Sequence, residues 1–511
     1  MRKLLTIIDQ ANPIHLFWLT VATSIVLAAR MQAIQHGWIN PDSVLYLEAA
    51  KLIANGDFRG AYNIFGWPFY AFCIGLVSKV TGFDTHLSAQ FLNMVFFGIA
   101  TASYLKIIQL AGGKNLTLFA GALLLFGNLY IVGDVLEMLM RDQGFWAFYL
   151  ASLVFFIRFY QQNKVLDALL WQVTAILAVL FRIEAITFLL LLPLIFVFDI
   201  QESYKQRTIK LLKTYSISLF ILAIIFIAIY TVPSLNINSF GRLQEVFNTN
   251  LWDVFSSNLI SRSSIMSTQV LGEYLEEYAI AGLLMTFVYV ILVKNITTLG
   301  AVGVIAAGLH FKNKFSQMNN HVKRVLTAVS IICVMNMALI ITKVFVLSSR
   351  YIVAITFILL IVSALYLGHL FNKAKDKKQT RSLTIVSIAI IVLCLSIIKN
   401  VLPKQSGYNY MQDAVAWVKN NQHDATVFYE DARLRYYARA PFIGSGVFDW
   451  KAKNKASDTR HYDYLVINFG KEDQKKRDFL LQSLPEYQEI KRFYATKNKK
   501  YSAIYQIKST Q

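Results

Sequence analysis

Four groups of ionisable residues stand in or beside long apolar stretches. A charge there has little water to solvate it, and a function is the default explanation. Asp42 lies in NPDSVLYLEAAKLI, just past the first apolar stretch. Pro41 suits the first turn of a helix and Asn40 its N-cap, so Asp42 falls where the helix dipole favours a carboxylate. Tyr46, Ala49 and Ala50 follow on the same or neighbouring faces. Asp42 is then either a group that helps to satisfy the helix start or a general base. Asp134, Glu137, Arg141 and Asp142 lie in GDVLEMLMRDQGFW. Their spacing puts Asp134, Glu137 and Arg141 on one helix face, as a self-neutralised ion-pair network or as a site. Arg182 and Glu184 occur in LFRIEAITF, and Arg350 with Tyr351 in LSSRYIVA, each between apolar segments. Arg182 with Glu184 could be an interfacial anchor. The planar fork of arginine also suits a phosphate diester, so Arg141, Arg182 and Arg350 on one membrane face could hold a lipid-linked phosphate.

The elements that must position these residues follow from composition. The chain has 511 residues, 56% apolar and only 16% charged, against about 25% charged in an ordinary globular chain. With 37 Phe and 26 Tyr as well, it reads as a polytopic α-helical membrane protein, and disorder and collagen-like structure are excluded. The net charge of +20 reads as cationic cytoplasmic loops; nucleic-acid binding lacks a basic helix or zinc spacing to support it. Cys73, Cys333 and Cys394 are far apart in apolar runs and indicate neither disulfide nor metal site. His15, His36 and His86 read as interfacial residues rather than ligands. The stretch from Ile14 to Ala33 is long enough to span and lacks the features of a cleavable signal.

Spans need about 20 mostly apolar residues. Candidates run 14–34, 86–109, 116–133, 143–160, 165–181, 185–200, 214–232, 277–293, 325–346, 352–370 and 383–401, about eleven in all. The Gly-rich segment 296–309 reads as a half-span or interfacial hairpin. Lys and Arg in the short loops, from Arg2 and Lys3 to the cluster between Lys373 and Arg381, fall on one side if the N-terminus is cytoplasmic and 296–309 does not cross. The transmembrane domain is then 1–401, with long outer loops at about 36–84 and 233–275, and the tail 402–511 is extracytoplasmic. The tail reads as a small soluble α/β domain: helices at 410–419 and 473–484, and strands at 425–429, 464–469 and 501–507. No internal repeat is apparent, which disfavours an inverted-repeat transporter.

The order of these features resembles a known family. One span leads to an outer loop opening PDSVLYLEAAKLIANGDF and continuing to GWPFYAF; then come R-D-Q-G, R-I-E-A and S-R-Y, and a tail beginning AVAWVKNNQHDATVFYEDARLRYYAR. This is similar to the bacterial GT-C glycosyltransferases of the dolichyl-phosphate-mannose protein mannosyltransferase and aminoarabinose transferase type. The resemblance implies an inverting sugar transfer from a polyprenyl-phosphate donor to a lipid, glycan or protein acceptor, on the outer face of the cytoplasmic membrane. It implies Asp42 as base; Arg182, Arg350 and then Arg141 against the donor phosphate; and Glu137, Asp142, Tyr46 and Glu184 orienting the acceptor or a metal. Two departures stand out. Ser43 follows Asp42 where many relatives have a second acid, and Gly66-Trp67-Pro68-Phe69-Tyr70 replaces a His/Pro-rich stretch. The cofactor is therefore left open, a divalent cation being the candidate. The rival readings are a polytopic transporter or lipid-linked glycan flippase, and a non-catalytic scaffold whose tail binds cell-wall partners.

Overall fold

A computed structural model describes residues 1–34, 37–231, 250–272, 274–312, 318–403, 409–422, 425–444, 459, 461–470, 473–495 and 500–508. Two compact units emerge. One comprises Met1–Met31, Phe91–Glu137 and Arg141–Val401; the other comprises Gln32–Gln90, Met138–Met140 and Leu402–Gln511. The first outer loop therefore packs with the tail.

The first unit is a polytopic helical membrane domain. Among the described residues, seven helices are long and apolar enough to cross a membrane: Pro13–Ala33, Thr85–Leu110, Tyr204–Ile227, Glu276–Leu299, Asn320–Val344, Val353–Lys375 and Thr380–Val401. An eighth crossing is made if Asn115–Phe126 and Leu129–Val135, bent by 44°, form one span. The expected spans at 143–160 and 165–181 are the helices Asp142–Gln162 and Val165–Phe181. The span expected at 185–200 is a shorter apolar helix, Ile183–Phe196, in which 3-10 turns at Ile183–Ala185 and Leu192–Phe196 flank Ile186–Leu191. At 296–309 the preceding helix ends at Leu299, Gly300 turns with φ +77°, and Ala301–Lys312 is a separate, short apolar helix of 12 residues. Residues 232–249 of the second long outer loop, and His36 of the first, lie outside the described residues. The rest of that second loop includes the helix Leu251–Ile265.

Val353–Lys375 is buried on nearly every side, as suits a helix that is apolar all round. Its closest approach is to Asn115–Phe126. A Cβ on Gly368 would lie 2.4 Å from Thr117 Oγ1 and 2.7 Å from its Cα, so only glycine lets these backbones meet. The bend at Gly127 and Asn128 exposes backbone groups that lipid could not satisfy. Side chains satisfy them instead. Asn128 Oδ1 accepts from the amides of Tyr130 and Ile131, its Nδ2 donates to Thr298 O at 2.8 Å, and Asn400 Nδ2 donates to Phe126 O at 3.1 Å. This bend fixes the direction of Leu129–Val135 and so the position of Asp134.

The second unit joins the helices Pro41–Ala54, Phe58–Ile64 and Phe69–Thr81 to the α/β tail. The tail has four strands, β1 (Val427–Tyr429), β2 (Tyr464–Phe469), β3 (Tyr487–Tyr494) and β4 (Tyr501–Ile507), in the order β1-β2-β4-β3. β1 and β2 are parallel; the other neighbours are antiparallel. The buried faces of Tyr410–Asn421 and of β2 and β4 form one core, with Met411, Val415, Val466 and Ile504 at its centre. β3 was not legible in the sequence. Its residues YQEIKRFY are largely charged or half-exposed, the usual protection of an edge strand.

Candidate functional site

In the membrane unit, the chain leaves the helix Val165–Phe181 through Arg182, whose backbone is extended, and enters the short 3-10 turn Ile183–Ala185. This sets the Arg182 side chain against the first turn of Asp142–Gln162. Its Nη1 bonds Asp142 Oδ1, and its Nε donates to Glu184 Oε2 at 3.4 Å. The guanidinium and the Asp142 carboxylate are both almost wholly buried, at 4% and 2% side-chain exposure. The guanidinium also lies 4.6 Å from the centre of the Tyr351 ring and 5.7 Å from that of Phe145, a cation–π arrangement that favours the cation once water is excluded.

Arg350 sits in the turn Ser349–Tyr351, half-buried. It shares a cavity of about 20 Å³ with Arg182, Glu184, Tyr351 and Asn336. That volume holds about one water molecule and is far too small for a phosphate or a sugar. Asn336 Nδ2 donates to the Glu184 carbonyl at 3.3 Å. The charge of Arg141 reaches Glu184, and the charges of Asp142, Arg350, Asp134 and Arg182 all reach the Tyr130 hydroxyl. The structure thus gathers Arg141, Arg182, Arg350, Asp134, Asp142 and Glu184, six residues from three distant stretches. Tyr130 and Asn336 join them unforeseen; nothing in their local sequence separates them from the other tyrosines and asparagines of apolar helices.

One expectation is corrected. Asp134, Glu137 and Arg141 do not share a helix face: the helix ends at Val135, residues 136–141 are non-helical, and a new helix starts at Asp142. Glu137 and Arg141 are both buried.

Asp42 and Tyr46 belong to the other unit. Pro41–Ala54 begins with Pro41 in its first turn and Asn40 at the N-cap. The Asn40 side chain makes no capping bond. It contacts Ser43 instead, whose hydroxyl lies 2.7 Å from the Leu139 carbonyl. Asp42 is half-exposed in the first turn, while Ser43 and Val44 beside it are buried. Tyr46 is buried edge-on against Phe65 and Tyr70, at 5.5 and 5.4 Å between ring centres. Among the described residues, no group of three or more His, Cys, Asp or Glu side chains could hold a metal ion.

Solved structures match this architecture over nearly the whole chain. The aminoarabinose transferase ArnT from Cupriavidus metallidurans, solved with undecaprenyl phosphate bound, superposes with a TM-score of 0.56 at 11% identity, covering 95% of this chain and 97% of ArnT. The archaeal oligosaccharyltransferase AglB from Archaeoglobus fulgidus, solved with an inhibitory peptide and a dolichol-phosphate, gives 0.54 at 10% identity, covering 95% of this chain and 74% of AglB. The chain has the GT-C fold. The mycobacterial arabinofuranosyltransferase AftD shares this GT-C fold with a TM-score of 0.50 at 11% identity; the match covers 98% of this chain but only 42% of AftD. No family model matches the chain, and no curated protein does. At these identities the GT-C likeness is one of fold, and the chemistry must be argued from the residues.

Proposed function

We propose that this chain is a glycosyltransferase that moves a sugar from a polyprenyl-phosphate donor to a lipid, glycan or protein acceptor. The observation that carries this reading is the end-to-end match to ArnT, 95% of one chain against 97% of the other. The arginine–carboxylate cluster, lodged in an apolar helical unit, supports it. In the reaction, an acceptor oxygen or nitrogen attacks the anomeric carbon. The bond from that carbon to the phosphate oxygen breaks with inversion, and polyprenyl phosphate departs with the bonding pair. The acceptor's proton passes to a base. Asp42 is the proposed base: its carboxylate is half-exposed in the first turn of Pro41–Ala54, and a carboxylate so placed can receive a proton.

The arginines divide their roles. Arg182 already holds two carboxylates and is almost wholly buried, so it serves as a positioning residue for Tyr351 and Asp142. Arg350 is half-buried in a turn and is the leading contact for the departing phosphate, with Arg141 beside it. Glu137, Asp142, Glu184 and Tyr46 remain as groups that orient the acceptor or the walls of its site. We place the protein in the cytoplasmic membrane with the N-terminus inside and the tail outside, the arrangement that keeps the Lys/Arg-rich loops on one side. A transporter built on paired broken helices finds less support, because one bent helix pair is present among the described residues. The test is direct. The purified protein, supplied with polyprenyl-phosphate-linked sugars, should release free polyprenyl phosphate together with a glycosylated product. If a panel of such donors stays intact with active membranes and cell-envelope acceptors present, the proposal fails.

A further inference from the structure

The second unit contains a further cavity, of about 1000 Å³. Its walls come from the helix Pro41–Ala54, the start of Thr85–Leu110, the helix Ala432–Ala438 and the segment after it. We propose that this cavity binds a neutral saccharide, the sugar portion of the acceptor; the assignment to the acceptor rests on the glycosyltransferase reading.

Four observations carry it. The first is size: small-ligand sites run to about 1,000 Å³, so the cavity has room for more than one sugar ring. The second is charge. Glu48 and Asp84 balance Lys51 and Arg439, and Lys51 is bonded to Glu48 at 2.6 Å. Such a lining has no excess cation for a phosphate and no excess acid for an amine, but it alternates donors and acceptors as a polyol requires.

The third is rigidity. The Tyr436 hydroxyl is 2.9 Å from His86 Nδ1, the two rings stack at 6.2 Å, and Lys51 Nζ lies 5.5 Å from the Tyr436 ring centre. One wall is thus fixed before any ligand arrives, which lowers the entropy lost on binding. The fourth is unused bonding capacity. The Arg439 and Gln90 side chains line the cavity yet make no hydrogen bond or ion pair among the described residues. Arg439 also adopts φ +58° at the end of Ala432–Ala438. Glycine would take that conformation without strain, so the arginine side chain is what the position gains. Phe442 and Leu87 add apolar surface for the C–H faces of a sugar.

The test uses the full-length protein in detergent on a printed array of neutral, acidic and amino oligosaccharides, without any polyprenyl donor. Wild type should retain neutral oligosaccharides, and Gln90→Ala combined with Arg439→Ala should weaken that binding at least about tenfold. The double variant should keep the wild-type melting temperature, since neither side chain bonds its surroundings. Retention of acidic glycans alone, retention of no glycan, or equal retention by wild type and variant overturns the proposal. Because no donor is present, this result is independent of donor turnover. Failure of the glycosyltransferase reading would show as intact donor with array binding unchanged; failure of this proposal would show as sugar transfer without array binding.

Discussion

Arg182 and Asp142 form a buried ion pair, Nη1 to Oδ1, that ties the start of the short apolar helix Ile183–Phe196 to the first turn of the helix Asp142–Gln162. Glu184 takes the other side of the same guanidinium. With both partners almost fully buried, this pair is a condition for the local fold.

Stability should follow that pair. Removing one member of a buried ion pair leaves an uncompensated charge and costs about 3–5 kcal/mol. Arg182→Ala is therefore expected to lower the melting temperature of the detergent-solubilised protein sharply, and more than Arg350→Ala does. Equal melting of the two variants would remove Arg182 from its positioning role.

Arg350 should separate from Arg182 in kinetics. A charge-assisted hydrogen bond contributes about 1.5–3 kcal/mol. Arg350→Ala should accordingly reduce use of a polyprenyl-phosphate donor by roughly 10- to 150-fold while melting near wild type. A folded Arg350→Ala variant with full donor turnover would transfer the phosphate contact to another residue.

Much of this was legible in the sequence, for a physical reason. Apolar length is a strong signal because the bilayer sets it, and so helices such as Pro13–Ala33 and Val353–Lys375 appear within a few residues of their expected ends. The tail strands at 464–469 and 501–507 were equally plain, since each buries a run of apolar side chains. Breaks were not. No Gly or Pro stands between Asp134 and Arg141 to mark the helix end at Val135, and helical spacing put the two residues on one face. The capping of the bend by Asn128 and Asn400 depends on residues 272 positions apart. Arg182 and Glu184 were readable as neighbours, but their partnership with Asp142, across a long sequence separation, was not.

The tail should carry a marked pH dependence. Burial pushes the Asp431 carboxyl up, but the Arg433 guanidinium and amide outweigh this and hold it below its ordinary value, with contacts of 2.8–3.0 Å. A depressed carboxyl adds stability that is fully present above the unfolded value near 4, about 3.9 for Asp, and is lost as pH falls through the folded one. The melting-temperature gap between wild type and Asp431→Asn should therefore be largest at neutral pH and close as the solution is acidified below about pH 4. A gap that stays constant down to acid pH would show that the pair contributes nothing through its charge.

The most direct measurement is sugar transfer by Asp42→Asn. Asparagine keeps a side-chain oxygen for the helix start but cannot take up a proton at neutral pH, and general-base catalysis contributes about 10²–10⁴-fold. With Asn40 already at the N-cap and Asp42 half-exposed in the turn that follows, the substitution should express and melt like wild type. Release of polyprenyl phosphate and formation of glycosylated product should together fall by at least about a hundredfold. Transfer within a few-fold of wild type would contradict the assignment of Asp42 as base and turn the search to Glu137 and Asp142.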